Sequence, residues 1–225
     1  VNMVLDPGVG LEARITNMRQ YVATTYGVIL SDIRLTDDPG MPPGSYVIRI
    51  QGVERARAFL RDNHLLALDP DQYPALAPGE TVKEPVYGAP ARWIPASEQD
   101  RAALSGATLV APPEVLATHL LEVIRRNLSR LLTMKAMRRL LDEMVNLSDR
   151  GRSEANRKLL EDMIPDRVAP DLLHAVLRLL LAEQVSIRNL PLILESIAEN
   201  RQFGPQPEAI CEHVRQRLGF QLVAG

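Results

Sequence analysis

The chain has 225 residues, 46% of them hydrophobic, and its 26 Lys and Arg against 28 Asp and Glu leave a formal charge of −2, so it can bury a core and carries no global field toward nucleic acid or an anionic membrane. Three Phe and one Trp imply an aliphatic core and leave few rings to stack on bases. The single Cys211 has no internal disulfide partner, and neither a signal peptide nor an apolar run of about 18 residues is present, which predicts a soluble segment in a reducing compartment.

Leu11, Ile15, Met18, Val22 and Tyr26 recur at helical spacing and predict a helix over 11–26, ended by Gly27. Alternation and β-branched residues predict strands over 33–36 and 45–53, separated by the turn-rich DDPGMPPG, and another over 64–68. DPDQYPALAPGE carries three prolines and no periodicity, so it reads as a loop long enough to hold a function. EPVYGAPARWI, with the only Trp, reads as a turn and a short strand. Ser97 is expected to cap a helix to about Leu104, and 107–110 to form a short strand.

The stretch 112–133, PPEVLATHLLEVIRRNLSRLLT, is the element around which the rest is organised. Leu116, Leu120, Val123, Ile124, Leu128 and Leu131 form one apolar stripe, two prolines and Glu114 mark its start, and a helix of that length would run about 33 Å. Mixed α and β precede it and only helix follows: periodic segments at 135–147, 154–163, 170–183, 190–200 and 206–218 are divided by GRS, IPDRVAP, QVSIRN and FGPQP. Asp171 and Asn189 are the expected caps of the third and fourth.

Chemical motifs are absent. His64, His119, His174 and His213 stand far apart with no Cys beside them, so no metal ligand set is written in the spacing. Cys211 falls on a helix face, no G-x-S-x-G elbow exists, and Gly8-Val9-Gly10 lacks the strand and third glycine of a nucleotide loop. Asn127 and Asn146 head Asn-Leu-Ser triplets that fall within predicted helices and read as incidental matches to a glycosylation pattern. The expectation is a protein without catalytic residues, cofactor or metal, and with no role in nucleic-acid binding.

The succession LEARITNMRQYVATTYG, MPPGSYVIRIQGV, EPVYGAPARWI, PPEVLATHLLEVIRRN and LLAEQVSIRNLPLILESIAEN resembles, nearly end to end, the cytoplasmic domain of the major export-gate protein of flagellar and virulence-associated type III secretion, the FHIPEP family. The resemblance implies an α+β, multi-subdomain fold. A thioredoxin-like α/β subdomain over 1–58 with 109–129 would be interrupted by a small α+β insert over 59–108 and followed by an all-α helical subdomain over 130–225. It also implies a fourth subdomain and a preceding transmembrane region that are not in these 225 residues. The implied function is a docking platform for export chaperone–substrate complexes and a ring-forming homo-oligomer, a nonamer in the family. It would work with other export-apparatus proteins at the cytoplasmic face of the inner membrane. A purely structural ring-forming adaptor stays open as the alternative.

In the family the docking cleft between the first two subdomains uses an Asp and a Phe of a D-P-x-F-G motif and the Thr of A-T-H-L. The matching positions are Glu84, Tyr87 and Thr118, so charge and ring are kept while two side chains depart from the commoner pattern. Between 125 and 139 the chain places Arg125, Arg126, Arg130, Lys135, Arg138 and Arg139 with no acidic residue. By themselves these read as a solvated helix face. The resemblance puts Arg125, Arg126, Arg130, Arg138 and Arg139 where neighbouring protomers meet in a ring.

Overall fold

The first helix, α1, spans Leu11–Tyr26, buries all five residues of its predicted stripe and is closed by Gly27 at φ 80°. The structure, a computed structural model, describes residues 10–200, 204 and 206–223. Gly8 and Val9 of the glycine triplet lie outside the described residues. The chain divides into two compact units, residues 1–18 with 33–124 and residues 19–32 with 125–225; the fold is α+β, with the second unit helical.

In the first unit β1 (Ser45–Ile50) and β2 (Val53–Phe59) pair as an antiparallel hairpin. Its connection, Gln51-Gly52, has φ of 53° and 78°, the mirror-image turn whose twist suits paired strands and for which Gly at the second place is favoured. This corrects the expectation of one strand through Val53. VERARAF carries too many charges to show its alternation, but opposite β1 it supplies Ala56 and Ala58 across from Ile48 and Tyr46. Residues 33–36 form no strand. Arg34, Leu35 and Thr36 are exposed, and the segment joins neither sheet among the described residues, so local β propensity has no partner to act on.

Four further strands, β3 (His64–Leu68), β4 (Glu80–Lys83), β5 (Pro90–Pro95) and β6 (Leu109–Val110), make an antiparallel sheet in the order β4-β5-β3-β6. β4 went unpredicted because ETVK offers a single apolar residue, Val82. One face of the sheet packs Leu66, Ala91 and Trp93 with Leu60, with Tyr46 of β1, and with Val115 and Leu116 of α3 (Pro112–Arg126). The other packs Ala67 and Ile94 with Leu76 and with Ala102 of α2 (Gln99–Leu104). Each large side chain so buried contributes roughly 1.5 to 3 kcal/mol. Residues 69–80 are therefore not a free loop: Leu76 and Tyr73 pack on the sheet, and Pro70–Gln72 form a 3-10 turn. Ser97 lies inside another 3-10 turn, Ala96–Glu98, so Glu98 rather than Ser97 precedes α2.

The second unit corrects the long helix. α3 stops at Arg126, Asn127 takes a non-helical φ of −121°, and a short α4 (Leu128–Leu131) follows. The break lets Leu128 and Leu132 sink into the core. α4 packs on α7 (Pro170–Ala182), where His174 Nε2 donates to the Leu132 carbonyl at 2.6 Å and Arg178 Nε to that of Ser129 at 3.1 Å. Carbonyls left open at the end of α4 are thus paired by two residues one turn apart on α7. α5 (Met134–Val145) and α6 (Arg150–Met163) pack as a pair, with Thr133 and Asp149 as their side-chain caps.

Asn189 caps α8 (Leu190–Glu199) as expected, accepting from the Leu192 amide at 3.3 Å. Asp171 sits in the first turn of α7, after Ala169 as cap. α9 (Pro207–Val223) packs on α7 and α8 and buries Cys211, whose thiol is pushed up chiefly by burial; it is a packing residue. The two Asn-Leu-Ser asparagines stand at helix ends, Asn127 before α4 and Asn146 at the end of α5.

Candidate docking site

The β4–β5 connection is built on Glu84. Lys83↔Pro90 is the last strand pair, and beyond it the buried Glu84 carboxylate, 8% exposed as a residue, takes three backbone amides of its own loop. Val86 donates to Oε2 at 2.7 Å, and Tyr87 and Ala89 to Oε1 at 2.8 and 3.0 Å. The backbone closes the same turn, Glu84 N–H to Ala89 O at 2.8 Å and Gly88 N–H to Glu84 O at 3.0 Å. Hydrogen bonds to a charged acceptor are roughly twice as strong as neutral ones, so this short loop is held as firmly as a strand pair. The carboxylate is spent inside the loop, which places Glu84 beneath the surface it was expected to line.

What the loop presents is Tyr87, 73% exposed with its backbone fixed by Glu84 and with Pro85 and Pro90 on either side. A rigid exposed aromatic loses little entropy when a partner covers it. Val82 and Ala91, the cross-strand pair one step inside the loop, pack in the cluster that holds Val115 and Leu116. Thr118, exposed on α3, stands three residues after Val115 and two after Leu116, so it is turned away from the Leu116 side of the helix. Tyr87 and Thr118 are both exposed, while Glu84 is buried within its own loop.

A contact that sequence spacing did not reveal lies beside Thr118. His119 is buried, and its Nδ1 stands 2.7 Å from the Tyr46 hydroxyl, with the rings edge to face at 5.6 Å between centroids. Burial pushes the Tyr46 phenol above its ordinary value, so it keeps its proton. The pair ties β1 to α3 across 73 residues of sequence, and the only hint was His119 in the ATHL motif.

The basic run falls on α3, α4 and α5. Arg125 is turned into the second unit, where Nε donates to the Tyr26 hydroxyl at 3.0 Å and Nη2 to Gln184 Oε1 at 3.2 Å. Arg126, Arg130, Lys135, Arg138 and Arg139 are exposed. Lys135 lies three and four residues before Arg138 and Arg139, so the three share one face of α5, opposite buried Met137 and Leu140. Among the described residues no group of three or more His, Cys, Asp or Glu is placed to hold a metal ion, and no helix is long and apolar enough to cross a membrane.

The profile of the FHIPEP family matches residues 2–225. The chain is 35% identical over 212 residues to the flagellar biosynthesis protein FlhA of Caulobacter vibrioides, covering 94% of this chain and 29% of that relative. Its fold matches the Chlamydia pneumoniae CdsV protein with a TM-score of 0.74 at 22% identity, over 94% of this chain and 59% of that one. It also matches nonameric EPEC SctV-C with a TM-score of 0.64 at 18% identity, over 95% and 62%.

Proposed function

Since the chain belongs to the FHIPEP family, we propose that it is a docking and ring-forming part of a flagellar type III protein export gate, acting as a binding platform and not as a catalyst. The observation that carries this reading is Tyr87, held exposed by the three amide bonds that Glu84 accepts from the loop. With Thr118 it would form the surface on which export chaperone–substrate complexes land, in a cleft between a 59–108 subdomain and a 1–58 with 109–129 subdomain. The likeness to flagellar relatives, 35% identity over nearly the whole chain, supports the flagellar side of the family.

Ring formation is the second half of the proposal. A nonameric protein shares this fold, and the helical part, 130–225 in this division, carries the exposed basic face. Arg126, Arg130, Arg138 and Arg139 would meet acidic groups of a neighbouring copy, while Arg125 serves its own unit. Working with other export-apparatus proteins at the cytoplasmic face of the inner membrane is part of the same reading, as is attachment through a transmembrane region of the longer protein. Co-elution of the purified chain with a chaperone–substrate complex of its own export system tests the docking half. A complex is expected with the loaded chaperone; none at any concentration tried would leave only a structural ring adaptor.

A further inference from the structure

We infer that the outer edge of the β1–β2 hairpin takes a third strand, residues 35–38, from a second copy of the chain. The inference names one contact for the ring-forming half of the function proposed above and rests on that half. Among the described residues no strand other than β1 pairs with β2, and an open edge of this kind is the ordinary template for strand addition. A bulge divides that edge: Ile48 faces Ala56 and Arg49 faces Glu54, so Arg55 is the extra residue. From Ala56 to Phe59 the ladder is regular. Ala56 and Ala58 are half-buried there, opposite Ile48 and Tyr46, while Arg57 and Phe59 alternate with them and are exposed, Phe59 at 50%.

Charge decides which strand fits. Antiparallel pairing of β2 with its own copy, centred on Ala56, would set Arg55 against Arg57, and like charges opposite one another are unfavourable. An acidic strand meets no such obstacle, and the chain carries one. Residues 34–38, RLTDD, are all exposed and join neither sheet, with Leu35 at 46% exposure. Set antiparallel to β2, Leu35 meets Phe59, Thr36 meets Ala58, Asp37 meets Arg57 and Asp38 meets Ala56. This register covers an exposed ring with an exposed leucine and sets a carboxylate beside a guanidinium on the same face. Glu54 accepts from Arg57 Nη2 at 2.8 Å, and a guanidinium has five N–H donors, enough for a second carboxylate. The register also avoids the bulge at Arg55 and is bounded at both ends. Pro39, after Asp38, cannot donate to a ladder, and the Leu60 amide, after Phe59, is given to the Gly44 carbonyl at 2.7 Å. The two surfaces differ, so the contact is head to tail and each copy offers both halves, as a ring requires.

The test mixes two variants of the chain, Leu35→Cys and Phe59→Cys, under oxidation by copper phenanthroline, beside each variant alone. Sedimentation follows self-association of the parent and of Asp37→Arg, with thermal melts of each. Opposed residues of an antiparallel pair stand about 4.5 to 5.5 Å apart at Cα, within disulfide reach, and the native Cys211 is buried. The mixture should give a disulfide-linked dimer at several times the yield of either variant alone. Asp37→Arg should weaken self-association about three- to tenfold with an unchanged melt. If the parent associates but the mixture gives no more dimer than either variant alone, or Asp37→Arg associates as the parent does, the strand pairing is refuted while the ring reading stands. If the parent does not associate at any concentration tried, both fall together. A chain carrying both cysteines that closes the bond within one copy and links no second copy shows the segments pairing inside one chain and overturns the inference.

Discussion

The Glu84 carboxylate accepts the Tyr87 amide at 2.8 Å while the Tyr87 ring, three residues along, stands in solvent. The buried acid and the exposed ring are thus one device, in which the first fixes the conformation that the second needs. Glu84→Gln keeps the shape but turns an NH2 toward amides that require acceptors. It should cost about 1 to 3 kcal/mol of stability, seen as a lower urea midpoint, and should speed hydrogen exchange at Val86, Tyr87 and Ala89. An unchanged midpoint with unchanged exchange would show that the loop holds itself without the carboxylate.

Tyr46 and His119 give a pH signature. Burial raises the Tyr46 pKa above its ordinary value of about 10. The stability this contributes is fully present below pH 10 and is lost as the pH climbs beyond it, because an unfolded tyrosine then releases its proton while the folded one must keep it. Tyr46→Phe removes both the 2.7 Å bond to His119 and that titration. The variant should be less stable by about 1 to 2 kcal/mol near neutrality, and its deficit should shrink as the pH rises above about 10. Urea unfolding across that range is the measurement, and a constant deficit would contradict the assignment.

Arg138 and Arg139 test the ring seam. They are exposed on the α5 face that also carries Lys135, so reversing both to Glu should leave the monomer folded while weakening self-association. The parent's own association should weaken with salt, since exposed charges are screened within about 10 Å at 0.1 M. Sedimentation velocity at low and high salt reads both effects. Assembly of the reversed variant at the parent's strength in low salt would make the patch a solvated face.

Elements with strong periodicity were legible in the sequence. The stripe of α1 and its glycine stop, the strand at His64–Leu68, the helices α7 and α8 and the Asn189 cap stand where the spacing put them, whereas α6 starts at Arg150 and takes in the GRS expected to divide two helices. Elements decided by partners were not. β2 hides its alternation under charge, β4 shows only Val82, and residues 33–36 have β-like residues without a strand to pair with. α3 and α4 read as one helix because the break at Asn127 is fixed by Leu128, Leu132 and the α7 residues that meet them. At the site, motif resemblance marked Glu84, Tyr87 and Thr118, but no pattern could say that Glu84 faces inward or that Tyr46 reaches His119.

Calorimetric titration of the cognate chaperone–substrate complex into the chain and into Tyr87→Ala bears most directly on the docking surface. With 73% of Tyr87 exposed, the substitution should leave the melting curve in place. Loss of a rigid aromatic anchor should then weaken binding by about 1 to 3 kcal/mol. Equal affinity for the two proteins, with matching melts, would contradict the assignment of Tyr87 as the docking anchor.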